Sequence, residues 1–111
     1  MLMLPAGLKV FLASHPLDMR KSFNGIAAII QSQFNRPANT GHLFVFGNRR
    51  SDKIKVFYWD RNGFVQWYKQ LEKGRFRFPE QPAKIIEMSV SDLTLLLEGI
   101  DFTHAERLHA Y

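Results

Sequence analysis

The connections between residues 42 and 78 constrain this chain more than any of its apolar runs do. Four stretches rich in β-branched and aromatic residues follow one another, His42 to Gly47, Lys53 to Trp59, Phe64 to Leu71 and Arg75 to Phe78. Each gap is short and polar: Asn48-Arg49-Arg50-Ser51-Asp52, then Asp60-Arg61-Asn62-Gly63, then Glu72-Lys73-Gly74. Loops this short join antiparallel neighbours and leave no room for a crossover helix. The Asn-Gly pair and Gly74 supply the left-handed backbone that tight turns need. The spacing therefore predicts a four-stranded antiparallel meander. Over Phe64 to Lys73 a helical register stays open, because WYKQLEK contains no helix breaker.

The flanks carry different periods. Leu8 to Ser14 (LKVFLAS) reads as a short buried strand, ended by Pro16. Beyond it Met19, Phe23, Ile26, Ala27, Ile30 and Phe34 recur at intervals of three and four. That is one apolar face of a helix, with Asp18 placed as its cap and Pro37 beyond its end. After Pro79 and Pro82, either Ser89 or Ser91 can cap a last helix, with Val90, Leu93, Leu96 and Leu97 inward and Gly99 ending it. Residues 103–111 are expected to fray. The expected architecture is α+β: a mainly antiparallel sheet of about five strands, including the meander, with two principal helices packed on one face. At 111 residues, with no linker-like stretch, a single domain over 1–111 is expected.

The chain has no cysteine, which removes disulfides and thiolate metal sites and suits a cytoplasmic location. No segment approaches the roughly 20 apolar residues of a spanning helix, and MLMLPAGLKVFLA is too quickly interrupted to be a signal peptide. The formal net charge is +5, unevenly placed. Residues 43–78 hold nine Lys or Arg against Asp52, Asp60 and Glu72, a net of +6, and ten of the fifteen aromatics. The remainder nets −1. Charge gathered into one segment points to an acidic partner, DNA above all.

Strand alternation puts Lys53, Lys55, Phe57 and Trp59 on one face, and sets Arg75 and Arg77 opposite Phe76 and Phe78. Cations beside rings can neutralise phosphates and stack on bases, although rings in strands are commonly core. Arg49 and Arg50, at a hairpin tip, offer planar forks of donors to phosphates or a groove. Arg20 and Lys21 fall in the expected first turn of the first helix, where the dipole disfavours cations; they form a second candidate phosphate site, or else pair with Asp18.

Catalysis finds little support. The serines lie in capping or turn contexts, and His15, His42, His104 and His109 form no helical ligand pair. Neither a metal nor a cofactor is expected. Asp18, Asp60 and Glu72 would have to converge for a metal-dependent nuclease, and each has a simpler role as cap, turn or hairpin residue. The residues favour a non-catalytic DNA-binding protein.

From Leu4 to about Phe102 the chain also resembles a known family. The residues that carry the likeness are Leu4-Pro5-Ala6-Gly7, Asp18 to Gly25 (DMRKSFNG), Gly41 to Phe46 (GHLFVF) and Asn48 to Val56 (NRRSDKIKV). Tyr58-Trp59-Asp60, Leu71 to Phe76 (LEKGRF) and Leu97 to Asp101 (LEGID) complete them. In order and spacing they are similar to the small accessory protein, the second open reading frame product called TnpB, of bacterial insertion sequences of the sixty-six type. Ser22, Asn24 and Phe78 stand where that family often has Gly, Asp and Trp. The resemblance implies a helper in transposition beside a large transposase that supplies the metal-dependent chemistry. Its partners would be DNA, at the element's ends, and that transposase. The alternative implied is a protein–protein module that holds or activates the transposase without touching DNA. An exposed sheet edge allows a homo-oligomer without requiring one.

Overall fold

A computed structural model describes residues 7–99. Its five strands are β1 (Val10–Ala13), β2 (Leu43–Gly47), β3 (Lys53–Asp60), β4 (Gly63–Gln70) and β5 (Ile85–Met88), with helices α1 (Phe23–Gln33) and α2 (Val90–Leu97). The strands form one sheet in the order β4-β3-β2-β1-β5. β1 and β2 run parallel, joined through α1, and the other pairings are antiparallel. The α+β class and the mostly antiparallel five-stranded sheet are thus as expected. The expected tail, 103–111, lies outside the described residues.

Three expectations are corrected. The first concerns the meander, which has three strands. Arg75 to Phe78 adds none; the segment turns at Gly74 (φ 78°) and is anchored by Phe76 N–H, which donates to the Ser51 carbonyl at 2.7 Å. The fifth strand is Ile85–Met88, paired with β1 from Val10↔Met88 to Ala13↔Ile85. Its alternating burial places Ile86 and Met88 inward. The β3–β4 loop also differs, because Arg61 (φ 53°) takes the left-handed backbone and Gly63 belongs to β4.

The second correction concerns the faces. α2 packs through Leu93, Leu96 and Leu97 against Val10, Leu12, Leu43, Val45, Ile54 and Val56. α1 packs through Ile26 and Ile30 against Phe11, Phe44, Phe46 and Phe57. These two sets alternate along the same strands, so the helices lie on opposite faces of the sheet. The inner strands β1 and β2 accordingly read as continuous apolar runs, and all five residues of β2 are buried.

The third is the start of α1. Its N-cap is Ser22, whose hydroxyl accepts from Gly25 N–H at 3.4 Å. Asp18 instead closes a turn: its carbonyl accepts from Lys21 N–H at 3.0 Å and its carboxylate accepts from Arg20 N–H at 3.0 Å. Arg20 and Lys21 therefore precede the helix. At the other helix Ser89 is the cap, accepting from Asp92 N–H at 3.0 Å, and Gly99 (φ 77°) follows the end.

Candidate nucleic-acid interface

At the end of the sheet where β2 turns into β3, the loop 48–52 is framed by one side chain. Asn48 Oδ1 accepts from the N–H groups of Asp52 and Lys53, both at 3.0 Å, and Asn48 Nδ2 donates to the Asp52 carboxylate at 2.6 Å. That hydrogen bond, opposed by partial burial, holds the Asp52 carboxyl below the usual carboxylate range. Ser51 takes a left-handed conformation (φ 60°), and Arg49 and Arg50 are left exposed at the tip.

A second segment is tied to this loop. Leu71 N–H donates to the Asp52 carbonyl at 2.9 Å, so residues 71–76 run beside the loop between that bond and the one from Phe76 to Ser51. Phe76 is buried in the α2-side core. Phe78 packs its ring over Gly47, where a Cβ would overlap it. With Phe76 and Phe78 turned inward, Arg75 and Arg77 are exposed, as the alternation predicts. Two continuous grooves lie between this segment, the hairpin and the end of β1; both are lined by Ser14, Ser51, Phe78 and Pro79. Arg75 and Arg77 edge one groove, together with Glu80, and Arg49 edges the other.

One end of the sheet thus gathers Arg49, Arg50, Lys53, Lys73, Arg75 and Arg77. Among the described residues the ion pairs are Arg20–Asp18 and Arg61–Asp60, so none of these six is in an ion pair, although Asp52 in the same loop feels the charge of Arg50 and Lys53. Lys84 joins the same end through β5, its carbonyl accepting from Ser14 N–H at 2.9 Å. The place of Lys84 at this end is not legible in the sequence because β5 is not.

Other candidates are placed elsewhere. Phe57 is fully buried and stacks on Phe64 at 4.8 Å between centroids, which removes it from any binding surface. Lys55, only 3% exposed, turns its ammonium inward to donate to the Met19 carbonyl at 2.7 Å and the Lys21 carbonyl at 3.4 Å. Burial lowers its pKa from the usual lysine value, partly opposed by Asp18. Its face is the one α1 covers, and the turn before α1 supplies carbonyls that need a donor. Lys69 is engaged in the same way on the other face, donating to the Leu97 carbonyl at 2.9 Å at the end of α2. Arg20 grips Asp18 through Nε and Nη2 (2.8–3.2 Å), holding that carboxyl far below its ordinary range. Lys21 is exposed beside it, and Trp59 is partly buried edge-on to Phe64.

Residues 8–107 match the family described as IS66 Orf2 like protein. The chain belongs to that family. Its relatives include two uncharacterized proteins of Sinorhizobium fredii (strain NBRC 101917 / NGR234). One, y4jC, is 35% identical over 91% of this chain and 86% of its own length. The other, y4hO, is 35% identical over 94% of this chain and 92% of its own length. No solved structure matches. Membership in the IS66 Orf2 like family assigns the chain an accessory role in an IS66 transposition system.

For an accessory protein of this kind, the remaining chemistry of the site is spare. No cluster of three His, Asp or Glu side chains suited to a metal occurs among the described residues. Asp60 closes the β3–β4 hairpin at the opposite end of β3 from Lys53, whereas Asp18 lies in the turn pinned by Lys55. No helix among the described residues is long and apolar enough to cross a membrane.

Proposed function

We propose that this IS66 Orf2 like protein binds DNA through the hairpin end of its sheet and cuts none itself. The observation that carries the reading is the cationic end, where Arg49, Arg75 and Arg77 line two adjoining grooves, Arg50, Lys53 and Lys73 lie on the same hairpin and flanking segment, and none of the six forms an ion pair with a described carboxylate. Guanidinium forks on a hairpin tip and a flanking segment can bracket successive phosphates of one backbone. Arg49 and Arg50 are assigned to phosphates or a groove edge, and the other four cations to the backbone on either side. The acidic partner is then the ends of the element on which the transposase acts.

A salt series tests this. Affinity for duplex DNA should fall steeply with ionic strength, because bound phosphates release their counterions. Replacing both Arg49 and Arg50 with alanine should lower the slope of log K against log salt by about 0.9 per lost phosphate contact. An unchanged slope and affinity removes the tip from the interface. If the isolated protein has no affinity for DNA yet captures the transposase from nuclease-treated extract, the cations meet acidic patches on that enzyme instead.

A further inference from the structure

Between α1 and the β4 edge, the sheet carries an aromatic surface distinct from the cationic end. The buried residues of α1, Ile26 and Ile30, lie in a cluster with Phe11, Phe44, Phe46 and Phe57, on β1 to β3. β4 adds Phe64, Gln66 and Tyr68 to the same face, opposite Trp59, Phe57 and Lys55. Among the described residues Phe23 and Tyr68 are the exposed large apolar side chains, at 46% and 47% exposure. Buried Phe57 joins Phe23, Phe64 and Trp59 from beneath, and Tyr68 lies on the same face beyond Gln66. Phe23 lies 6.1 Å from Phe57, Phe57 lies 4.8 Å from Phe64, and Phe64 lies 4.9 Å from Trp59. The Lys55 ammonium sits 4.9 Å from the Tyr68 ring centroid.

Scattered exposed aromatics need no explanation, but joined ones bordered by cations do. Lys21 precedes Phe23 by two residues, and Lys53 lies on this face of β3 next to the row holding Lys55 and Tyr68. Of the acids bordering it, Asp60 is 3.8 Å from the Arg61 guanidinium, and Asp18, beside Lys21, is held by Arg20 at 2.8 Å. The surface is therefore complementary to something flat, apolar in its faces and anionic at its rim. Unpaired bases on a phosphate backbone have that chemistry, and their stacking tolerates any sequence. A second copy of the chain would set Lys21 and Lys53 against cations of the same surface. Lys53 also belongs to the cationic end, so a strand leaving a duplex held there reaches Tyr68 first.

We propose that the surface formed by Phe23, Trp59, Phe64 and Tyr68 stacks the bases of a single-stranded stretch adjoining the duplex. The preferred DNA is then a junction between double and single strands. This rests on the cationic end being a DNA site, and the test separates the two. Three labelled DNAs are titrated: a blunt duplex, the same duplex with a single-stranded overhang, and the single strand alone. Wild-type protein should bind the overhang duplex about tenfold or more tighter than the blunt one. The double variant Phe23→Ala with Tyr68→Ala should erase that gain while leaving blunt-duplex affinity and its salt slope in place. Tyr68→Trp should keep the gain. Equal binding of blunt and overhang duplexes by wild type overturns the stacking surface but leaves the cationic end standing, and absence of all DNA binding overturns both. Loss of transposase capture in the double variant, with DNA binding intact, makes the surface a protein contact and also sinks the proposal.

Discussion

Lys53 and Lys55 stand two residues apart on one strand and share a face, yet they belong to different regions of the molecule. Lys53 lies at the hairpin end beside Arg49 and Arg50, whereas Lys55 lies under the turn that leads into α1 and donates to two of its carbonyls. The contrast extends to whole regions. At the hairpin end, backbone groups are satisfied by Asn48 and by neighbouring strands, so the basic side chains face outward. Beneath α1 and at the end of α2, unpaired carbonyls draw lysines inward. Where a cation goes is decided by which acceptors lack a donor, and a count of basic residues cannot see that.

The comparison breaks most sharply at Phe57. If the α1 face is core, Phe57→Ala should cost about 3–5 kcal/mol, read from urea denaturation. The Arg49 and Arg50 alanine variants should stay within about 0.5 kcal/mol of wild type. A stable Phe57 variant that has lost DNA affinity would instead make the ring a binding residue and dissolve the distinction between the regions.

Gly47 tests how the cationic end is built. A methyl group there overlaps the Phe78 ring, so Gly47→Ala should destabilise by about 1–3 kcal/mol and weaken DNA binding by moving Arg75 and Arg77. In combination with Phe78→Ala the two effects should be strongly non-additive, because the methyl then has space. Additive losses in denaturation would mean that the segment 75–78 is held by something other than this contact.

The sequence yields the elements better than their assembly. Short loops and aromatic alternation locate β2, β3 and β4, and a capping serine, Ser89 or Ser91, with Gly99 brackets α2, because these signals act within a few residues. β5 escapes because Ile85–Met88 is four residues long and follows a Pro-rich stretch, and its partner lies some seventy positions earlier, Ser14 bonding to Lys84. The face assignment fails for a related reason. Strand alternation separates two faces but does not say which are covered, and here β1–α1–β2 brings a helix onto the face that carries Lys55 and Phe57. The exposure of Arg49, Arg50, Arg75 and Arg77 is legible because short polar loops, and alternation beside buried Phe76, are local facts.

The lysine pair gives the next effect in size. Lys55→Met leaves the Met19 and Lys21 carbonyls without their donor and should cost about 1–2 kcal/mol, with the DNA salt slope unchanged. Lys53→Met should do the reverse, lowering the slope by about 0.9 with little change in stability. The pH dependence sharpens this. Because the folded-state pKa of Lys55 is lowered from 10.5, the unfolded chain holds more protons between the two values. The contribution of this group to stability therefore rises with pH across that window, and subtracting the Lys55→Met profile from that of wild type should isolate the rise. A flat difference would mean that the ammonium is as well solvated folded as unfolded.

The smallest effect lies in the loop that presents Arg49 and Arg50. Asp52 has its carboxyl held below the ordinary value of 3.8 by the hydrogen bond from Asn48. A depressed folded-state pKa stabilises the loop above the unfolded value, and that contribution fades as pH falls through the folded value. Asn48 Oδ1 also accepts from the Asp52 and Lys53 N–H groups, so protonation strains only one of three bonds and the loop should loosen without the sheet opening. Amide exchange at Asp52 and Lys53 should quicken in acid while that of β2 and β3 beyond them stays slow. Asn48→Asp removes the donor and sets two carboxylates together, so the Asp52 titration, followed by NMR, should move upward. An Asp52 titration unmoved by that substitution would show that the field of Arg50 and Lys53, rather than Asn48, holds the carboxylate ionised and keeps the tip in shape.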